Sequence, residues 1–104
     1  MEINTIPTKE ITEYENEIGV NIVVNERRNP LKGTKPFYAH FNHCEVIEQE
    51  GFLSSISGDG NTIDEAISDY AERISCKKLV LNAYSSSRNE FYAPKLVHTK
   101  LLNK

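Results

Sequence analysis

Gly58-Asp59-Gly60-Asn61-Thr62-Ile63-Asp64-Glu65-Ala66 is a glycine turn that runs directly into an amphipathic helix. Thr62 and Glu65 stand in capping-box spacing, so each side chain can satisfy a backbone N–H that the first helical turn leaves without a partner. Beyond them Ile63, Ala66, Ile67, Tyr70, Ala71 and Ile74 recur at steps of three and four, which puts them on one helical face. Gly58 and Gly60 read as the residues that let the chain reverse before the cap. Asp64 is explained by the helix dipole and Glu65 by the capping box, while Asp69 falls off the apolar stripe onto the exposed face.

Working back from the turn, Phe52, Ser54 and Ile56 alternate with Leu53 and Ser55, which predicts a strand leading into Gly58. A second strand is predicted from Phe37 to His43, with Phe37, Ala39 and Phe41 on one face and Tyr38, His40 and Asn42 on the other. It continues at Val46-Ile47 and ends in the polar turn Glu48-Gln49-Glu50-Gly51. Val20, Ile22 and Val24 alternate with Asn21 and Asn25 as the first strand. Residues 26–36 between them are a loop, punctuated by Pro30, Gly33 and Pro36. Residues 1–18 form an acidic helix or arm: Ile11, Tyr14 and Ile18 fall at helical spacing, Pro7-Thr8 opens the segment and Gly19 closes it.

Past the capped helix, Lys77 and Lys78 lie where cations favour the negative end of the dipole. Leu79-Val80-Leu81 is a short apolar strand continued by Asn82-Ala83-Tyr84, and Ser85 to Glu90 is a polar loop. Phe91 to Val97 is the final strand, with Pro94 demanding an edge position or a bulge. The expected fold is α+β, a small antiparallel sheet with one helix packed across it in the order β-β-β-α-β-β, plus a short N-terminal helix.

The chain has 104 residues, the size of a single domain spanning 1–104, and its 38 % hydrophobic content with five tyrosines and four phenylalanines supports one modest core. A net charge of −3 argues against a protein that coats nucleic acid. No apolar run approaches the ~18–20 residues that cross a bilayer, so no membrane is expected. The N-terminus lacks the basic start and apolar run of a signal peptide, and a cytoplasmic location is expected. Cys44 and Cys76 match no CxxC pattern and are expected to be reduced and packed.

His40, His43 and Cys44 are the residues nearest to a metal set. On a straight strand His40 and His43 diverge, and His40 and Cys44 stand roughly 13 Å apart at ~3.3 Å per residue, so neither metal nor cofactor is expected. The serines 85–87 lack a nucleophile-elbow turn and a partner base. Gly58-Asp59-Gly60 lacks the Lys-Ser/Thr ending of a phosphate loop. No catalytic residue is expected, and the chain is not expected to be an enzyme. The remaining candidate contact set is Arg27, Arg28, Lys32 and Lys35, with Tyr38 and His40 on the adjoining strand. These could grip phosphates and stack a base, or form a solvated loop next to a protein-binding surface.

Phe37-Tyr38-Ala39-His40-Phe41 and Gly60-Asn61-Thr62-Ile63-Asp64-Glu65-Ala66 resemble the N-terminal domain of HicB-type antitoxins, whose aromatic-rich strand and Gly-Asp/Asn-Thr-x-x-Glu-Ala helix start they match. The resemblance covers roughly half the chain and implies a partial RNase H-like fold without catalytic acids. The residues after the helix read as strand, not as a helix-turn-helix or ribbon-helix-helix, so operator binding is not expected. The Lys/Asn/Ile-rich style is also similar to small accessory proteins of phages and prophages of low-GC Gram-positive bacteria. The expected role is a cytoplasmic interaction protein that contacts a protein partner or itself. The alternative is a weak nucleic-acid binder using the basic loop 27–35.

Overall fold

The computed structural model describes residues 8–99. In chain order they form β1 (Thr8–Glu10), α1 (Ile11–Ile18), β2 (Ile22–Glu26), β3 (Phe37–Phe41), β4 (Cys44–Ile47), β5 (Leu53–Ser54), β6 (Gly58–Gly60), α2 (Ile63–Ile74), β7 (Lys78–Leu81), β8 (Asn89–Tyr92) and β9 (Lys95–Val97). The domain is α+β, with two helices and mostly antiparallel strands. The described strands make three sheets where one was expected. β2-β3-β6 and β5-β4-β7-β8 are antiparallel, and β1 and β9 pair in parallel.

Half of the capping box forms as written, the Thr62 hydroxyl accepting from the Glu65 N–H at 3.1 Å; the Glu65 carboxylate reaches one residue further back and accepts from the Asn61 N–H at 2.9 Å rather than from that of Thr62. Ala66, Ile67, Tyr70, Ala71 and Ile74 are buried beneath α2, while Ile63, in its first turn, stays 51 % exposed. They meet Ala39 and Phe41 of β3, with the Tyr70 ring edge-on to Phe41 at 5.3 Å.

The role of Gly58 and Gly60 is different from a chain reversal. Both lie in strand β6 without positive φ, and a Cβ on either would collide with the α2 backbone around Ala66 and Tyr70. They are glycines because helix and strand touch main chain to main chain.

Four strand expectations are corrected. β3 stops at Phe41 rather than His43, because the Asn42 side chain takes the Asn21 N–H at 2.9 Å and His43 adopts φ 55°. That turn carries the chain out of the three-stranded sheet into the four-stranded one as β4. The segment 52–56 pairs only at Leu53–Ser54. The run Phe91–Val97 splits at Pro94: β8 stays with β7, and β9 leaves to pair with β1. The strand expected to run on through Asn82-Ala83-Tyr84 ends at Leu81, since Asn82 has φ 53°.

At the N-terminal end Thr8–Glu10 is strand, so the helix opens later than expected, at Ile11, with Glu10 as its cap. The opening expected at Pro7 lies outside the described residues. Gly19 ends α1 as read, at φ 76°, with its N–H on the Glu15 carbonyl. Ile11 and Tyr14 join the same core as α2, Val46, Leu79 and Leu96. No helix among the described residues is long and apolar enough to cross a membrane.

Candidate interaction surfaces

The basic loop is less free than its sequence suggests. Arg27 Nη1 donates to the Lys35 carbonyl at 2.6 Å, Nη2 pairs with Asp59 at 2.9 Å, and the guanidinium carbon sits 4.6 Å over the Tyr38 ring. The Asp59 N–H donates to the Asp69 carboxylate at 2.8 Å, which also receives Arg73 Nε at 2.7 Å. Asp69, read as merely exposed, thus fastens α2 to β6. Two arginines and two aspartates cancel in charge at the base of the loop, and the guanidinium covers the Tyr38 face on which a base would stack.

Tyr38 and His40 lie on the same side of β3 with near-parallel rings 6.3 Å apart, and His40 Nδ1 lies 3.0 Å from the Phe41 carbonyl. The structure therefore brings together Arg27, Tyr38 and His40, and reaches Lys35 only through its carbonyl. Arg28 and Lys32 are exposed and enter no ion pair among the described residues.

The straight-strand separation of His40, His43 and Cys44 is corrected by the turn at Asn42-His43. All three line one hollow with Tyr38 and Glu45. Among the described residues no three His, Cys, Asp or Glu side chains are arranged to hold a metal. Burial and the charge of Glu45 push the Cys44 thiol up to about 11, so at neutral pH it is a thiol, not a thiolate nucleophile. Cys44 and Cys76 are both free, and Cys76, expected to be packed, is exposed.

The outer face of the four-stranded sheet carries a second surface, one that sequence reading did not single out. Leu53, Ile47, Lys78 and Tyr92 are successive cross-strand partners across all four strands. Lys78 Nζ lies 5.7 Å over the Tyr92 ring and 3.4 Å from Glu90, which Arg88 also holds at 2.8 Å. Arg88 and Lys78 lower the Glu90 carboxyl below its usual range. Tyr92 is 72 % exposed at the sheet edge, and Phe52, at the β4–β5 hairpin, is 66 % exposed.

Among the described residues β8 has a neighbour on one side only. The Ala93 N–H donates to the Lys77 carbonyl at 2.9 Å, so odd positions face β7. By antiparallel alternation Glu90 and Tyr92 turn their N–H and C=O outward. The free edge of β2 is blunted instead, since the Ile22 N–H there is taken by the Glu15 carboxylate at 2.7 Å.

His98 is the remaining concentration of titratable groups. It is 4 % exposed, with Nδ1 3.0 Å from Glu10 Oε2 and Nε2 2.9 Å from Asp64 Oδ1. The other Glu10 oxygen accepts from the Thr99 N–H at 2.6 Å and the Thr99 hydroxyl at 2.7 Å. Burial works against the Glu10 charge, but the hydrogen bonds from His98, Thr99 and Thr12 outweigh it and hold the carboxyl at about 2. Nothing in the sequence marked this group, because Glu10 and His98 are 88 positions apart.

No protein-family model, curated protein or solved structure matches this chain.

Proposed function

We propose that this chain is a non-enzymatic cytoplasmic interaction protein with a HicB-like fold, of the kind phages and prophages encode. It contacts a protein partner, or a second copy of itself, through the outer face and free edge of the four-stranded sheet. The observation that carries this reading is β8: an edge unpaired among the described residues, whose Glu90 and Tyr92 backbone groups face outward beside the exposed Tyr92 ring. A partner strand laid there gains main-chain hydrogen bonds, and the row Leu53, Ile47 and Tyr92 gives it apolar contact.

The HicB-like reading is supported by the aromatic strand β3, which pairs with β6, and by the capped helix α2 that follows β6 and packs on both. The non-enzymatic reading is supported by the occupation of the candidate groups. Glu65 caps a helix, Asp69 fastens one, and both His98 nitrogens face carboxylates. The pairing of Arg27 with Asp59 favours protein over nucleic acid, since it removes one of four loop cations from phosphate contact.

Glu90→Pro removes an outward N–H from the edge, and Tyr92→Ser removes the exposed ring. Either change should abolish the protein complex, read by light scattering for self-association and by co-purification for a partner, while the far-ultraviolet spectrum is unchanged. The reading is overturned by sub-micromolar affinity for DNA or RNA at physiological salt that is lost when Arg28, Lys32 and Lys35 become Ser and is indifferent to Glu90→Pro.

A further inference from the structure

An imidazole enclosed by two carboxylates has a definite requirement. Only the doubly protonated ring can donate from both nitrogens; a neutral ring has one N–H and must turn a lone pair toward an oxygen. In this protein both ring nitrogens of His98 lie within 3.0 Å of a carboxylate oxygen, Glu10 on one side and Asp64 on the other. The His98 side chain is 1 % exposed, so water has little access to replace a lost partner. The Asp64 side chain is 47 % exposed and gives the proton a way out.

The three residues belong to elements far apart in the chain. Glu10 ends β1 and caps α1, with Thr12 N–H on its Oε2 at 3.2 Å, and Asp64 lies in the first turn of α2. His98 directly follows β9, which is held by β1 on one side and by Ser75 at the end of α2, whose hydroxyl accepts the Leu96 N–H at 2.8 Å. We infer that His98 is a charge-dependent latch: as imidazolium it ties β1, the cap of α1 and β9 to the start of α2, and loss of its proton releases them.

Asp64 and Glu10 both favour the charged ring. Among the described residues Glu72, Cys76 and Lys95 share a hollow of about 480 Å³ with His98. Glu72 adds to the pull of the carboxylates and Lys95 opposes it, and neither touches the ring nitrogens. The geometry fixes the direction: donation from both nitrogens to Glu10 and Asp64 needs the second ring proton, so the latch closes at low pH and opens as pH rises through the range where imidazoles lose it.

The test is amide hydrogen exchange on the whole protein at about pH 5 and about pH 8, the ends of the range where imidazoles titrate. After correction for intrinsic rates, protection at Lys9, Glu10, Leu96 and Val97 should fall roughly tenfold or more at the higher pH, while β3 and β7 are unchanged. Asp64→Asn offers an amide that donates to the neutral ring, so it should keep β1 and β9 protected at about pH 8. His98→Gln should lose the pH dependence; if it does not fold, Asp64→Asn and the nitrogen NMR spectrum of the wild-type ring decide. Equal protection of the wild type at both pH values, or the same loss in Asp64→Asn, overturns the latch. So does a ring with one proton at about pH 5.

Discussion

The three-stranded sheet is closed on one face by α2, so tightly that Gly58 and Gly60 have no room for a Cβ, and its other face carries Tyr38 under the Arg27 guanidinium. The four-stranded sheet packs one face with Val46 and Leu79; on the other Val80 is fully buried, Ile47 and Leu53 are half-buried, and Tyr92 is exposed at an edge that has no partner among the described residues. Both sheets are antiparallel and small. Both pair their charged groups; they differ in how far apolar side chains and strand edges are covered among the described residues. In the first sheet arginines meet aspartates and apolar residues meet the helix, so substitutions there act on the fold. In the second, part of an apolar row and one strand edge have no partner among the described residues, and on the proposed reading substitutions there act on binding.

The comparison breaks most visibly at Gly58. Gly58→Val puts side-chain atoms into the backbone of α2, where neither strand nor helix can yield, and should cost about 3 kcal/mol or more, leaving little cooperative unfolding in a thermal melt. A well-behaved melt from this variant would mean that α2 does not sit against β6. Next in size, Ile67→Ala removes a side chain that is 8 % exposed beneath the helix and should cost ~2–5 kcal/mol by lost transfer energy and a cavity. An unchanged denaturant midpoint for Ile67→Ala would place the stripe in solvent.

Acid sharpens the same contrast. The folded-state Glu10 carboxyl is depressed from 4.5 to about 2, so the stability it contributes is present above about pH 4.5 and is lost as pH falls toward about 2. Melting temperatures should drop over that window in the wild type, and the drop should be shallower in Glu10→Gln; parallel curves would contradict the assignment. The smallest effect on stability belongs to the open sheet. Tyr92→Ser, at a ring 72 % exposed, should move the folding free energy by no more than ~0.5 kcal/mol. A loss of several kcal/mol, seen by denaturant titration, would show that the ring belongs to the fold.

Elements set by local chemistry were readable in advance. The Thr62–Glu65 box, the apolar stripe of α2, the stop at Gly19 and the alternation in β2 and β3 are all decided by residues a few positions apart. What escaped was set across the chain. Periodicity sees alternation but not the turn at His43, because positive φ there is tied to a hydrogen bond from Asn82 to the His43 carbonyl. The break at Pro94 was marked by its missing N–H, but not the partner that the chain then takes, which is β1. The glycines were read as conformational freedom, although their function is close approach. Of the candidate contact set, charge and residue type identified the loop. The pairing of Arg27 with Asp59 needed the β3–β6 register, which aligns Tyr38 with Asp59.

The most direct test of this division is photo-crosslinking inside cells of the source organism, with a benzophenone amino acid replacing Tyr92 in one variant and Lys32 in another. The account predicts a discrete protein adduct from position 92, of the partner or of a second copy, and none from position 32. Adducts to nucleic acid from position 32, with position 92 silent, would contradict it and give the function to the basic loop.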